Sequence, residues 1–180
     1  GRKAVDFLYE KGHRTVVFLR NNESDYNRHS GYVVIFRESL LAHAKELGMT
    51  VIESEHYEAD SFDAQHFVST VFAHPDRPTA IINQANTSVL SQVLMALHDA
   101  GMSIPQDVSV LSCGTYFEGE PTRFPITEMP VMPEELCAEA MNLLVSAIEE
   151  HTDIKGSVEL IEPALKRRGS VAEAGSGGTI

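Results

Sequence analysis

The chain has little positive charge and little cysteine, and it has no long apolar run. Lysine and arginine total 14 against 26 acidic residues, a net charge of −12. That disfavours nucleic acid as a direct partner, because such affinity comes largely from cations neutralising phosphates. The only basic cluster, Lys166-Arg167-Arg168, is too small for a groove-reading surface. The two cysteines, Cys113 and Cys137, form no disulfide framework and fit a reducing, cytoplasmic setting. No apolar stretch approaches the roughly 20 residues of a membrane helix, and no signal peptide stands at the start. The eight histidines form no H-x-H or H-E-x-x-H pattern, so no metal site is expected. No phosphate-cradling glycine loop follows a strand, and internal repeats and heptads are missing. No cofactor is expected.

What remains is regular. The chain has 180 residues, 43% of them hydrophobic, enough for a domain with a real core. Residues 77–114 are its organising stretch: a buried strand at 80–83, a helix capped by Asn86 or Thr87, a stop at Gly101 and a second strand at 108–111. Such a βαβ unit implies a parallel pair with a right-handed crossover. Upstream, helices are expected at 1–11 and 31–47, strands at 15–19 and 49–52, and a helix capped by Ser61 that ends before Pro75. Residues 20–27 are polar and predict a loop. Beyond Gly114 the prolines 121, 125 and 130 predict a connection that leaves the sheet. A helix then opens at Pro133-Glu134-Glu135, where proline and carboxylates suit the first turn. A last strand is expected at 158–161 and a flexible Gly/Ser/Ala-rich tail at 171–180. The fold class is α/β, an open parallel sheet flanked by helices.

In open parallel sheets ligands bind beyond the carboxyl ends of the strands. The loops there, at 20–27, 53–60, 84–86 and 112–116, are polar and suit a hydroxyl-rich small molecule. Asn22, Ser24 and Asp25 lie in the first of them and Arg28 just after it. A guanidinium presents five donors in a rigid fork, suited to vicinal hydroxyls, a carboxylate or a phosphate. Cys113 stands at a strand end, where nucleophiles can sit, but has no histidine near it in sequence, and a small buried thiol is the simpler reading. The alternating Glu53, Glu55 and Glu58 are expected to be solvated.

Several motifs resemble one family. The segment IPQDVSV at 104–110, the ALHDAGM before it, Gly12-His13-Arg14, Arg28-His29-Ser30-Gly31-Tyr32, and Pro163-Ala164-Leu165 with Arg168-Gly169-Ser170 are similar to the LacI/GalR regulators, in their effector-binding, periplasmic-binding-protein-like type I region. The resemblance runs from Gly1 to about Ser170. It implies two hinged lobes with a ligand between them. Residues 1–117 then form most of the C-terminal lobe, 118–156 the connection and a helix returning to the N-terminal lobe, and 157–170 the last strand. Most of the first lobe and the DNA-binding head would lie elsewhere in a longer protein, as would a strand before Gly1.

The resemblance also assigns roles. An arginine three residues before the motif glycine contacts effector in the family, which points to Arg28, and Ser24 matches a frequent ligand position. His13 falls where the family has a structural histidine. The usual Asn-Asp is here Ala85-Asn86, and the usual Gly-aromatic-Asp is Ser112-Cys113-Gly114 followed by Thr115. A neutral sugar thereby loses an acceptor, and an anionic effector gains ground. The implied effector is a sugar, a sugar phosphate or another small metabolite. Operator DNA would be reached only through a missing helix-turn-helix, and the protein would be a homodimer without membrane contact. Leu90, Leu94, Met95 and Leu97, spread over more than one helix face, are expected to serve that dimer. The alternatives are a periplasmic or secreted solute-binding protein of the same fold, and an α/β enzyme using Cys113 or the acidic loops.

Overall fold

The computed structural model describes residues 1–58, 61–73, 77–114, 124–131, 133–151, 153, 155–156 and 161–175. In chain order they form α1 (Arg2–Glu10), β1 (Thr15–Leu19), α2 (Glu23–Asn27), α3 (Gly31–Glu46), β2 (Thr50–Glu53), α4 (Ala64–Val71), β3 (Ala80–Asn83), α5 (Thr87–Asp99), β4 (Ser109–Ser112), β5 (Thr127–Glu128) and α6 (Pro133–Glu150). The five strands pair in parallel in the order β2-β1-β3-β4-β5.

The central strands are apolar at nearly every position because helices cover both faces of a parallel sheet. Alternation sorts their side chains. Val17, Leu19, Ile81 and Val110 meet α4 and α5 on one side, while Val16, Phe18, Ala80, Ile82 and Leu111 meet α1 and α3 on the other. From β1 the chain moves outward in one direction to β2 and then crosses to β3 on the opposite side. The carboxyl ends of β1 and β3 therefore flank the topological switch point, the place where open parallel sheets bind ligands.

Several local expectations need correction. Residues 20–27 hold a helical turn, α2, because the Asn22 side chain accepts the Asp25 N–H and the carboxylates Glu23 and Asp25 stand in its first turn. Asp63, not Ser61, caps α4 by accepting the His66 N–H; the Ser61 hydroxyl donates instead to the Glu58 carbonyl at 2.9 Å. Asn86 is the cap of α5. The connection after Gly114 does not simply leave the sheet: it returns a fifth strand, with Leu111 opposite Thr127. Residues 158–160 of the expected last strand lie outside the described residues, and Ile161 is not in a strand.

Of the expected flexible tail only 171–175 are described, and they follow directly on Ser170, which is anchored in the core. Ser170 is buried, and its hydroxyl donates to the Val110 carbonyl at 2.6 Å and accepts the Thr127 N–H at 2.7 Å. The Ser170 carbonyl accepts the Val110 N–H at 2.8 Å, and Ala174 N–H donates to Lys11. These bonds satisfy sheet groups that burial would otherwise leave unpaired. Residues 176–180 lie outside the described residues.

Leu90, Leu94 and Leu97 are also not where the dimer expectation placed them. All three are at most 1% exposed within this one chain, and only Met95 is open, at 52%. Packing against the sheet and α4 together uses more of the α5 surface than a single stripe. By contrast α6 leaves Leu136, Met141, Leu144, Val145 and Ile148 exposed, and Ala147 is buried.

Candidate functional site

At the carboxyl end of β1, the central apolar run is followed directly by Arg20. Arg20 is 5% exposed. Its backbone is tied to the loop after β2: Arg20 N–H donates to Ser54 Oγ at 3.2 Å, and its carbonyl accepts the Tyr57 hydroxyl at 3.1 Å. Its guanidinium lies over the Tyr26 ring, 4.2 Å from the centroid, and 3.3 Å from Glu23 Oε2. α2 thus supplies both a cation–π face and a carboxylate to one buried arginine.

The end of β3 carries two buried amides. Tyr26 Oη donates to Gln84 Oε1 at 3.3 Å, and Gln84 Nε2 donates to the Val33 carbonyl in the first turn of α3 at 3.4 Å. Asn83 Nδ2 donates to the Ala85 carbonyl at 3.1 Å and to Ser112 Oγ at 3.0 Å. Tyr32 Oη, also at the start of α3, donates to the Cys113 carbonyl at 2.7 Å. These bonds hold α2 and α3 over the sheet edge.

Two atoms of this floor have no hydrogen-bond partner among the described residues. Arg20 Nε and Asn83 Oδ1 are buried and unbonded, one a donor and one an acceptor, at the ends of the adjacent strands β1 and β3. An orphaned buried polar atom costs roughly 1–3 kcal/mol. Each such atom calls for a polar partner, ordered water included.

The residues singled out from sequence are placed unevenly. Asn22 and Asp25 bond each other, Asn22 Nδ2 donating to Asp25 Oδ2 at 3.0 Å, so both serve the α2 cap. Ser24 is half-buried on α2. Arg28 does not begin α3: it is the C-cap of α2, while Ser30 caps α3. Its side chain is exposed and unpaired among the described residues. Asn86 is exposed and occupied as the α5 cap, accepting Val89 N–H at 2.9 Å. Gly114 lies against the Gln84 and Ala85 carbonyls. Thr115 lies outside the described residues. The structure therefore groups Asn22, Ser24, Asp25 and Arg28 on one short element, and Gly114 beside the loop that leads to Asn86. Sequence reasoning missed Arg20, Tyr26, Gln84 and Asn83. The available signal was an arginine directly following the apolar run Val16–Leu19.

Burial pushes the Cys113 thiol up to about 12, so at neutral pH it is a protonated, inert group and no nucleophile. Burial also raises the Tyr26 hydroxyl, against the opposing pull of Arg20, and raises Tyr57. Both phenols stay neutral donors. Among the described residues no group of three or more His, Cys, Asp or Glu could hold a metal. No described helix is long and apolar enough to cross a membrane.

The pattern of the periplasmic binding protein-like domain matches residues 5–171. The chain belongs to that family. Within it, the chain is similar to transcriptional regulators rather than enzymes. The HTH-type transcriptional regulator GanR of Bacillus subtilis is 25% identical over 154 residues, covering 83% of this chain and 46% of GanR. The HTH-type transcriptional repressor PurR of Salmonella arizonae is 25% identical over 179 residues, covering 96% and 49%. The chain thus spans about half the length of these relatives. A LacI-family regulator from Bifidobacterium animalis superposes with a TM-score of 0.71 at 22% identity, over 96% of this chain and 60% of that one. Another, from Arthrobacter sp. FB24 in complex with lactose, gives 0.69 at 17% identity, over 94% and 62%. These likenesses establish a shared fold, that of the ligand-binding part of LacI-family regulators.

Proposed function

We propose that this chain is the effector-sensing core of a cytoplasmic LacI-type transcriptional regulator. In this reading residues 1–117 are most of the C-terminal lobe, 118–156 return toward a partner lobe, and the crevice at the ends of β1 and β3 takes a small metabolite. The observation that carries the reading is the pair of orphaned atoms, Arg20 Nε and Asn83 Oδ1, at the switch point. Arg28 and Ser24, with Asn22, Asp25, Asn86, Gly114 and Thr115 around the rim, complete the proposed site. Ligand closure would shift the hinge and reposition a helix-turn-helix dimer carried on another part of the protein. With −12 net charge, this part would contribute no groove-reading surface. Homodimerisation rests on the family resemblance and on exposed Met95.

Arg28, unpaired among the described residues, and the lack of a carboxylate at Gly114 favour an acidic or phosphorylated effector over a neutral sugar. A fold relative carries lactose, so neutral disaccharides belong in the comparison. The test is calorimetric titration of a chain extended to include the first lobe, with sugars, sugar phosphates and carboxylates. A charge-assisted hydrogen bond contributes about 1.5–3 kcal/mol, so Arg28→Ala is expected to weaken binding roughly tenfold to a hundredfold. Unchanged affinity for the ligand that binds would reduce Arg28 to a surface residue.

A further inference from the structure

On the outer edge of the sheet, between the end of β2 and α4, lies a recess of about 300 Å³. That is the lower end of the range that encloses small molecules. Its walls include Ile52, Tyr57, Phe62, Phe67 and Val71. The three rings follow one another: Tyr57 to Phe62 is 4.9 Å between centroids at 66°, and Phe62 to Phe67 is 5.5 Å at 52°. Aromatic rings present negative faces, which attract a cation once water is displaced.

The charged lining residues Glu53, Glu55 and Asp63 are all acidic, and the lining holds no lysine or arginine. Glu53 is held by both Arg37 Nε, at 2.6 Å, and Arg37 Nη2, at 2.7 Å, so its charge is neutralised. Asp63 spends one oxygen on the α4 cap, 2.9 Å from His66 N. Glu55 is exposed and makes no hydrogen bond or ion pair among the described residues. Of the two histidines in the lining, His56 is bound to Glu23 at 2.5 Å. The recess therefore combines an aromatic interior with uncompensated negative charge at its mouth.

It adjoins the proposed effector site without including its floor. Neither Arg20 nor Asn83 nor Gln84 lines it. Three lining residues also reach the Arg20 cluster: Ser54 Oγ accepts the Arg20 N–H, the Tyr57 hydroxyl donates to the Arg20 carbonyl, and His56 is bound to Glu23.

We propose that this recess is a second small-molecule site, selective for a primary ammonium carried on a compact aromatic body. Aromatic faces and carboxylates together favour such a cation, and the same carboxylates reject an anion of equal size. This inference is independent of the effector reading above.

The test titrates the 180-residue chain calorimetrically with phenethylamine, phenethyl alcohol and 3-phenylpropionate, which share a body and differ in charge. The amine is expected to bind best and the carboxylate not at all. Glu55→Gln, at an exposed position, should weaken the amine roughly two- to fivefold and leave the alcohol unchanged, the scale of one surface charge pair. Thr70→Phe, at an exposed α4 position in the lining, should fill the recess and abolish binding of both, with folding checked by circular dichroism. Equal affinity for all three probes, no binding of the amine, or binding that survives Thr70→Phe would overturn the proposal. So would a change in sedimentation caused by Thr70→Phe alone, which would assign the face to contact between copies. If Thr70→Phe does not fold, the Glu55→Gln comparison of amine with alcohol decides.

Discussion

The backbone at Gly114 lies so close to Ala85 that a Cβ there would stand 2.5 Å from the Ala85 carbonyl oxygen and 2.7 Å from that of Gln84. Both obstructing atoms are backbone, so they yield only if the loop after β3 moves. The aspartate that the LacI-type pattern places here has no room in this chain. Gly114→Asp is therefore expected to cost roughly 1–3 kcal/mol of stability, as overpacking does, and to lower Tm by several degrees. It should not confer sugar binding. Differential scanning calorimetry checks the first part, and an unchanged Tm would mean that the loop adapts freely.

Arg20 is buried with an ion pair to Glu23, whose side chain is 27% exposed. Replacing a whole buried ion pair by apolar side chains is often neutral, and removing one partner is costly chiefly when it strands the other charge in the interior. Here the change also removes an orphaned Nε, and Glu23 keeps its contact with His56. Arg20→Met is thus expected to change unfolding free energy by no more than about 1 kcal/mol, while any effector affinity falls. Urea denaturation measures the first quantity. A loss of several kcal/mol would make the guanidinium a structural element.

Ser170 carries the opposite expectation. Its hydroxyl both donates to Val110 and accepts from Thr127 inside the core. Ser170→Ala leaves the Thr127 N–H and one lone pair of Val110 without that partner, which costs roughly 1–3 kcal/mol. Truncation after residue 169 should be at least as damaging. Equilibrium unfolding checks both variants, and a neutral Ser170→Ala would show that the tail is only laid against the sheet.

Two histidines shape the pH dependence in opposite senses. Hydrogen bonds to Glu46 first, then Asp6, raise His43 above 6.5. A base with a raised folded pKa binds protons more tightly when folded, so its stabilisation is whole below 6.5 and lost as pH rises through the raised value. Burial lowers His13, which bonds Thr79 Oγ1 at 2.8 Å and the Ala172 carbonyl at 3.1 Å. Its neutral form is the folded one, so stability falls as pH drops below 6.5 toward the lowered value. Urea midpoints measured between about pH 5.5 and 8.5 should show a maximum near the ordinary histidine range. His43→Gln should flatten the alkaline limb, and more so at low salt, because Glu46 is 57% exposed. An unaltered alkaline limb would remove His43 from the account.

The sheet was legible because its strands are short apolar runs bounded by polar and glycine signals, and periodicity reports burial directly. Gly12, Gly48 and Gly101 end helices with φ of +86°, +67° and +74°, as their positions after apolar stripes predict. The proposed site was legible only at its rim. Arg28, Ser24 and the capping asparagines stand out in a polar loop, whereas Arg20 and Asn83 look like strand ends until β1 and β3 are set side by side.

Sequence alone determined the α/β class, most element positions and the βαβ unit at 77–114, since these depend on contacts between near neighbours. It also carried the family, through motifs such as 104–110. Tertiary structure alone decided the strand order, the return of β5, the docking of Ser170 and the burial of Leu90, Leu94 and Leu97. Each depends on contacts between residues far apart in the chain, where local periodicity is silent. The same holds for the two orphaned atoms at the switch point: whether Arg20 Nε and Asn83 Oδ1 find partners is settled by which loops converge on the sheet edge, and no spacing in the sequence encodes that convergence.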